Sequence, residues 1–299
     1  MKRARLIHLL AIIWTSLAAQ QLSAACLMPA HRAALEALKS SKFEVADDKD
    51  RQTLALSLLT CLADPDPALR DGLAFEAYYT WLRGDRLDEK TRTALLTHLS
   101  SMIEPGKADG DGFQQPFAAL VLSEVARTDR IKPWLEPAQR AALVEQAARY
   151  EASVRDYRGF DPKEGWRHGV AHGSDLLLQL VLNPGVDRAG IDRILDAVAV
   201  QVAPAGDHSY IDGESERLAR PVLFAAQRGL LSAEDWQKWL GKVAAPLPNA
   251  QAAIRTRAGL AHQHNLQAFL YALYVNAREG GDANMQLLLP GLQAAFKTL

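Results

Sequence analysis

His168, His172 and Asp175 stand at positions i, i+4 and i+7. At about 100° per residue, a helix through them carries two imidazoles and a carboxylate on one narrow face, and Gln179 extends the stripe by a turn. Such a set has two chemical uses. It could share a divalent metal ion, or an imidazole could act as general base with Asp175 orienting it. Glu216, in the first turn of another helix, is the candidate carboxylate across a cleft, which makes His168, His172, Asp175 and Glu216 the catalytic candidates. The competing reading is structural, with the polar groups simply hydrogen-bonded to a neighbouring loop. The stripe is not a zinc-protease signature. Gly169 and Ala171 occupy the places where His-Glu-x-x-His or His-x-x-Glu-His would have glutamate.

The segment that must position this stripe is a loop running into a helix. Gly159, Pro162 and Gly165 interrupt regular structure, and helical spacing runs from Trp166 to Val181 before Asn183-Pro184-Gly185 stops it. Leu176, Leu177, Leu178, Leu180 and Val181 leave the helix apolar almost all round, as expected of an interior helix. Its polar stripe must then face a cleft or find buried partners.

The run Arg158-Gly159-Phe160, followed by Gly165-Trp166-x-His168-x-x-Ala171-His172-x-x-Asp175, resembles the central signature of the bacterial domain-of-unknown-function family numbered 2785. Weaker likenesses extend from Arg70-Asp71 to Asn265 and Phe269-Leu270-Tyr271. The resemblance implies an all-helical protein and assigns no biochemical role.

Elsewhere the chain reads as helix after helix. Three-and-four spacing of Leu, Ala and aromatics marks 31–41, 48–63, 67–83, 88–103, 114–128, 137–155, 187–202, 214–231, 233–244, 256–278 and 284–298, with Asp66, Asp88, Asp187 and Ser232 placed as N-caps. No stretch alternates long enough to predict a strand. Helices opening near 67, 114, 166, 214 and 257 recur at a spacing compatible with stacked antiparallel pairs, a HEAT-like α-solenoid or superhelix with one concave face. In that arrangement the first turns of alternate helices gather Asp71, Gln115, Arg217, His264 and Asn265, and with Arg158 and Trp166 these are the candidate ligand contacts. Tyr78 and Tyr271 are candidates to line the groove, while most other aromatics belong to the core. Asp109-Gly110-Asp111-Gly112 reads as a flexible corner within one domain spanning 26–299.

Lys2, Arg3 and Arg5, an apolar run to Ala19 and Ser23-Ala24-Ala25 have the order of a secretory signal over residues 1–25. The expectation is an exported, periplasmic or secreted protein with no transmembrane segment. Removing the signal leaves 31 basic against 35 acidic residues, a formal charge of −4, which argues against nucleic acid as a partner. In an oxidising compartment Cys26 and Cys61 would pair, although Cys26 also directly follows the small residues where a lipoprotein would carry its lipid. There is no phosphate-binding glycine loop, Gly-x-Ser-x-Gly elbow or C-x-x-C pair. The expected function is therefore a helical-repeat binding module for an envelope protein, peptide or glycan. The alternative is a metal-assisted or His/carboxylate hydrolase using the same cleft.

Overall fold

The computed structural model describes residues 26, 36–107, 109–245 and 250–298. The expected signal segment and the start of the helix expected at 31–41 lie outside the described residues.

The chain is all-α. Its principal helices are α1 (Asp48–Ser57, continuing as a 3-10 stretch Leu58–Ala63), α2 (Pro67–Leu69, a π-helical stretch Arg70–Phe75, then Glu76–Arg83), α3 (Glu89–Met102), α4 (Gln114–Ile131) and α5 (Pro137–Ser153). They continue as α6 (Gly169–Val181), α7 (Arg188–Val202), α8 (Glu214–Gln227), α9 (Ala233–Val243), α10 (Arg257–Glu279) and α11 (Leu289–Phe296). The four predicted caps close helix starts as the chemistry requires. Asp66 accepts from Ala68 N at 2.9 Å, Asp88 from Thr91 N at 2.7 Å and Asp187 from Gly190 N at 2.9 Å, while Ser232 and Asp235 form a reciprocal capping box before α9.

Alternate helices pack side by side in chain order. α4 lies between α2 and α6, and α8 lies between α6 and α10. The intervening helices pack behind this row: α3 on α4, α5 on α6 and α7, and α7 on α8. The core between the layers holds Trp81, Tyr78, Phe117, Trp236 and Phe269, all fully or almost fully buried. Tyr78, a groove candidate by sequence, is a core residue whose hydroxyl donates to Ala55 O at 2.6 Å. Cys26 and Cys61 form a disulfide that ties the chain ahead of α1 to the 3-10 stretch behind it.

Two local departures from the sequence reading shape the site. First, Phe160–Asp161 and Gly165–Trp166 pair as a minimal antiparallel hairpin (β1 and β2), where no strand was expected. The Asp161 carboxylate makes the turn by accepting from Lys163 N at 2.7 Å and Glu164 N at 2.9 Å. Pairing of Trp166 keeps it out of the helix, and His168 then turns the chain in a left-handed conformation (φ 60°), so α6 begins at Gly169. Second, the 109–112 corner is tied down. Asp109 caps α4 through Gln114 N and Gln115 N, each at 2.9 Å, and Asp111 O accepts from Arg167 and Arg158.

Candidate functional site

Each polar residue of the α6 stripe meets a different neighbour. His168 opens the helix with its ring stacked on Trp166 (centroids 4.5 Å apart), and Trp166 in turn lies against Phe160 at 4.9 Å. His172, one turn on, meets His168 edge-on at 5.6 Å and the α4 ring of Phe117 at 5.1 Å. Five rings thus form a continuous file from exposed Phe160 to core Phe117. Asp175 forms an ion pair with Arg217 of α8, and Gln179 accepts from Arg130 of α4 at 3.1 Å.

The histidine end is closed by the segment joining α7 to α8. His168 Nε2 lies 3.0 Å from Asp212 O, and His264 Nε2 lies 3.0 Å from Tyr210 O. Fully buried Asn265 accepts from Tyr210 N at 2.7 Å and donates to His208 O at 3.0 Å. The Asp212 carboxylate accepts from Phe160 N at 3.2 Å and presses on Gly159, where a Cβ would collide with it. Segment 204–213 is therefore a strap held across the helix ends by α6, α10 and the hairpin. Burial holds both imidazoles below their ordinary pKa, with the nearby Arg217 charge acting in the same direction; the effect is strong for His172 and smaller for His168. Asp175 is raised by its burial, against the pull of Arg217.

Several candidates serve structure. Asp71 pairs with Arg70, which is fully buried, lies over the Phe113 ring at 4.0 Å and donates to Glu164 O at 2.7 Å. Gln115 donates to Lys107 O at 3.0 Å, and Arg158 pairs with Asp156. These groups thus hold loops, and of them Gln115 and Arg158 line one small cavity of about 290 Å³ beside the 109–112 corner. Among the described residues no three His, Cys, Asp or Glu side chains are grouped to hold a metal ion. His168 Nε2 is occupied by a carbonyl and Asp175 by a guanidinium, so the stripe is not assembled as a ligand set.

Further along the row the face opens. Arg83 of α2 grips Glu124 of α4 with two bonds, 2.8 and 2.7 Å, and lies over the Tyr79 ring at 3.9 Å. The Glu124 hydrogen bond raises the Arg83 pKa still further. Arg130 sits close enough to Arg127 and Arg83 that burial first, and those charges next, lower its pKa. Arg220 of α8 sits within electrostatic range of Asp175. Among the described residues, Arg127, Arg130 and Arg220 have no carboxylate within ion-pair distance, and Arg83 and Arg217 flank them. Beside Arg220 a groove of about 670 Å³ runs between α8 and α10, lined by Leu223, Phe224, Tyr271, Ala272 and Val275, with Glu216 as its one carboxylate. Tyr271, the second groove candidate, lines this groove and is half exposed.

A family model described as Protein of unknown function (DUF2785) matches residues 99–275. The chain belongs to that family. No curated protein and no solved structure matches it. The DUF2785 match runs from the last turn of α3 into α10 and so contains the α6 stripe, the strap and the open face from Glu124 to Val275. Arg70, Arg83 and the disulfide lie outside it.

Within the DUF2785 segment, sequence reasoning missed two features. Of the arginines of the open face only Arg217 was a sequence candidate; Arg127, Arg130 and Arg220 were overlooked, although Arg127/Arg130 and Arg217/Arg220 each stand at i, i+3 on alternate helices, a signal that was there to read. Glu151 was also missed. It is fully buried in α5, one carboxylate oxygen accepts from Ser174 at 3.1 Å, and burial drives its pKa well above the usual carboxylate range. Gly173 leaves room for it, since a Cβ there would collide with the carboxylate. Nothing in the local sequence around Glu151 signals a buried acid.

Proposed function

We propose that the chain is an exported binding module whose ligand lies on the open face of α4, α6 and α8 and in the groove between α8 and α10. One observation carries this reading: three arginines with no ion pair among the described residues lie on this face of a chain of negative net charge, and one of them, Arg220, lines an apolar groove. Guanidinium groups held beside one another cost electrostatic energy that a ligand of opposite charge recovers. The Cys26–Cys61 disulfide supports the export part of the reading, because such bonds persist in oxidising compartments.

The reading predicts that anionic probes such as polyglutamate or heparin bind at low salt and raise the melting temperature. It also predicts that Arg130→Glu combined with Arg220→Glu abolishes the effect. Absence of any anion-dependent stabilisation in the intact protein would remove the proposal.

A further inference from the structure

The open face has two chemically different halves that meet at one residue. On one side lie Arg83, Arg127, Arg130 and Arg217, with Glu124 and Asp175 set among them. On the other side lies the groove floored by Leu223, Phe224, Ala272 and Val275. Arg220 belongs to both, since it lines the groove and acts electrostatically on Asp175. Val275 and Tyr271 are each more than half exposed, at 56% and 54%, so this apolar strip faces solvent and not the core. Glu216 sits on α8 one turn before Arg220 and would repel an acidic group placed at that end. The acidic part of a ligand is therefore directed past Arg220 toward Arg217 and α4.

Nucleic acid and anionic glycans would satisfy the arginines but have no use for an aliphatic strip of leucine, alanine and valine. A polypeptide offers both chemistries on one chain. Resting on the binding-module reading above, we propose that the ligand is an acidic amphipathic segment of a partner polypeptide. Its apolar side chains seat between α8 and α10, and its carboxylates reach Arg220, Arg130 and Arg127. An apolar stripe in a hydrophobic groove is a recurrent mode of peptide recognition, and charge beyond it sets register and association rate.

The test uses the full-length, disulfide-bonded mature protein and three fluorescein-labelled probes: a peptide combining glutamate and leucine on opposite helical faces, polyglutamate of equal length, and heparin. Fluorescence anisotropy is read with the native protein, with Val275→Glu, and with Arg130→Glu/Arg220→Glu. All of these substitutions sit on the open face, and circular dichroism confirms folding. The expected result is binding of the mixed peptide at least about tenfold tighter than polyglutamate or heparin, in line with burial of a few apolar side chains. Val275→Glu removes that advantage and weakens polyglutamate by a clearly smaller factor than the mixed peptide, while the arginine pair variant weakens every probe. If polyglutamate or heparin binds as tightly as the mixed peptide, or Val275→Glu changes nothing, the polypeptide assignment is overturned while the binding face stands. If no probe binds the native protein, the binding face itself is overturned.

Discussion

The two ends of α6 carry the same kind of sequence and have opposite fates. At its start, His168 and His172 are shut in by Trp166, Phe117 and the strap, and the His168 ring nitrogen facing the strap meets a backbone carbonyl. Half a helix later, Asp175 and Gln179 hold arginines of α8 and α4 at an open surface whose remaining guanidiniums have no ion pair among the described residues. The difference teaches where a buried polar group is structural and where it points to a ligand. Interior groups whose partners belong to the chain hold the fold, whereas uncompensated like charge at a surface waits for something from outside. Substitutions at the closed end should therefore change stability, and substitutions on the open face should change binding.

The largest effect should come from Arg70, whose guanidinium joins α2 to the hairpin and lies over Phe113. Arg70→Leu leaves Asp71 and the carbonyls of Asp64 and Glu164 without their donor. A loss of about 3 kcal/mol in denaturant unfolding is expected. A loss below 1 kcal/mol would mean the hairpin is not held as described. Next is Asn265→Ala, which takes two hydrogen bonds from the strap at a fully buried position. It should lose about 2 kcal/mol, with faster amide exchange confined to residues around Tyr210. Exchange that rises evenly over the whole chain would show that the strap is not a local unit.

Acid should weaken the closed end in a defined window. In the folded chain burial keeps His172 from taking a proton, whereas the unfolded chain binds it near the ordinary value of 6.5. The unfolded state then holds more protons, so this contribution is complete above pH 6.5 and is lost as pH falls below it. One such group gives a slope of at most about 1.4 kcal/mol per pH unit. His172→Gln should flatten the stability curve between pH 6.5 and 5 by part of that slope. Parallel curves for the variant and the native protein would contradict the buried neutral imidazole.

Much of this architecture was legible in the sequence because its causes are local. The caps at Asp66, Asp88, Asp187 and Ser232, and the helix openings at 67, 114, 214 and 257, depend on residues within a turn of one another. The α6 stripe was legible for the same reason, since helical periodicity alone puts His168, His172, Asp175 and Gln179 on one side. What each residue of the stripe touches was not legible. Asp212, Arg217, Phe117 and Arg130 reach it across separations of 42 to 55 residues, and the left-handed turn at His168 depends on the hairpin before it. First-turn polar groups looked like a recurring cleft, yet Asp71, Gln115, His264 and Asn265 are each spent on a loop or a neighbouring side chain.

The smallest effect on stability should come from the open face itself. Arg220 is exposed and has no ion pair within contact distance among the described residues; its known interaction is the longer-range attraction to Asp175. Exchanging it for glutamate turns that attraction into repulsion from Asp175 and Glu216 but converts repulsion from Arg217 into attraction, so at an exposed site the changes largely offset. Surface charges of this kind contribute within about 0.5 kcal/mol. Arg220→Glu should therefore unfold at nearly the native denaturant midpoint while failing to bind the acidic peptide. If it lost stability as Asn265→Ala does, the arginine would be a structural tie like Arg70, and the division between the two ends of α6 would collapse. A native midpoint with lost binding is the combination that a purely structural polar face cannot produce.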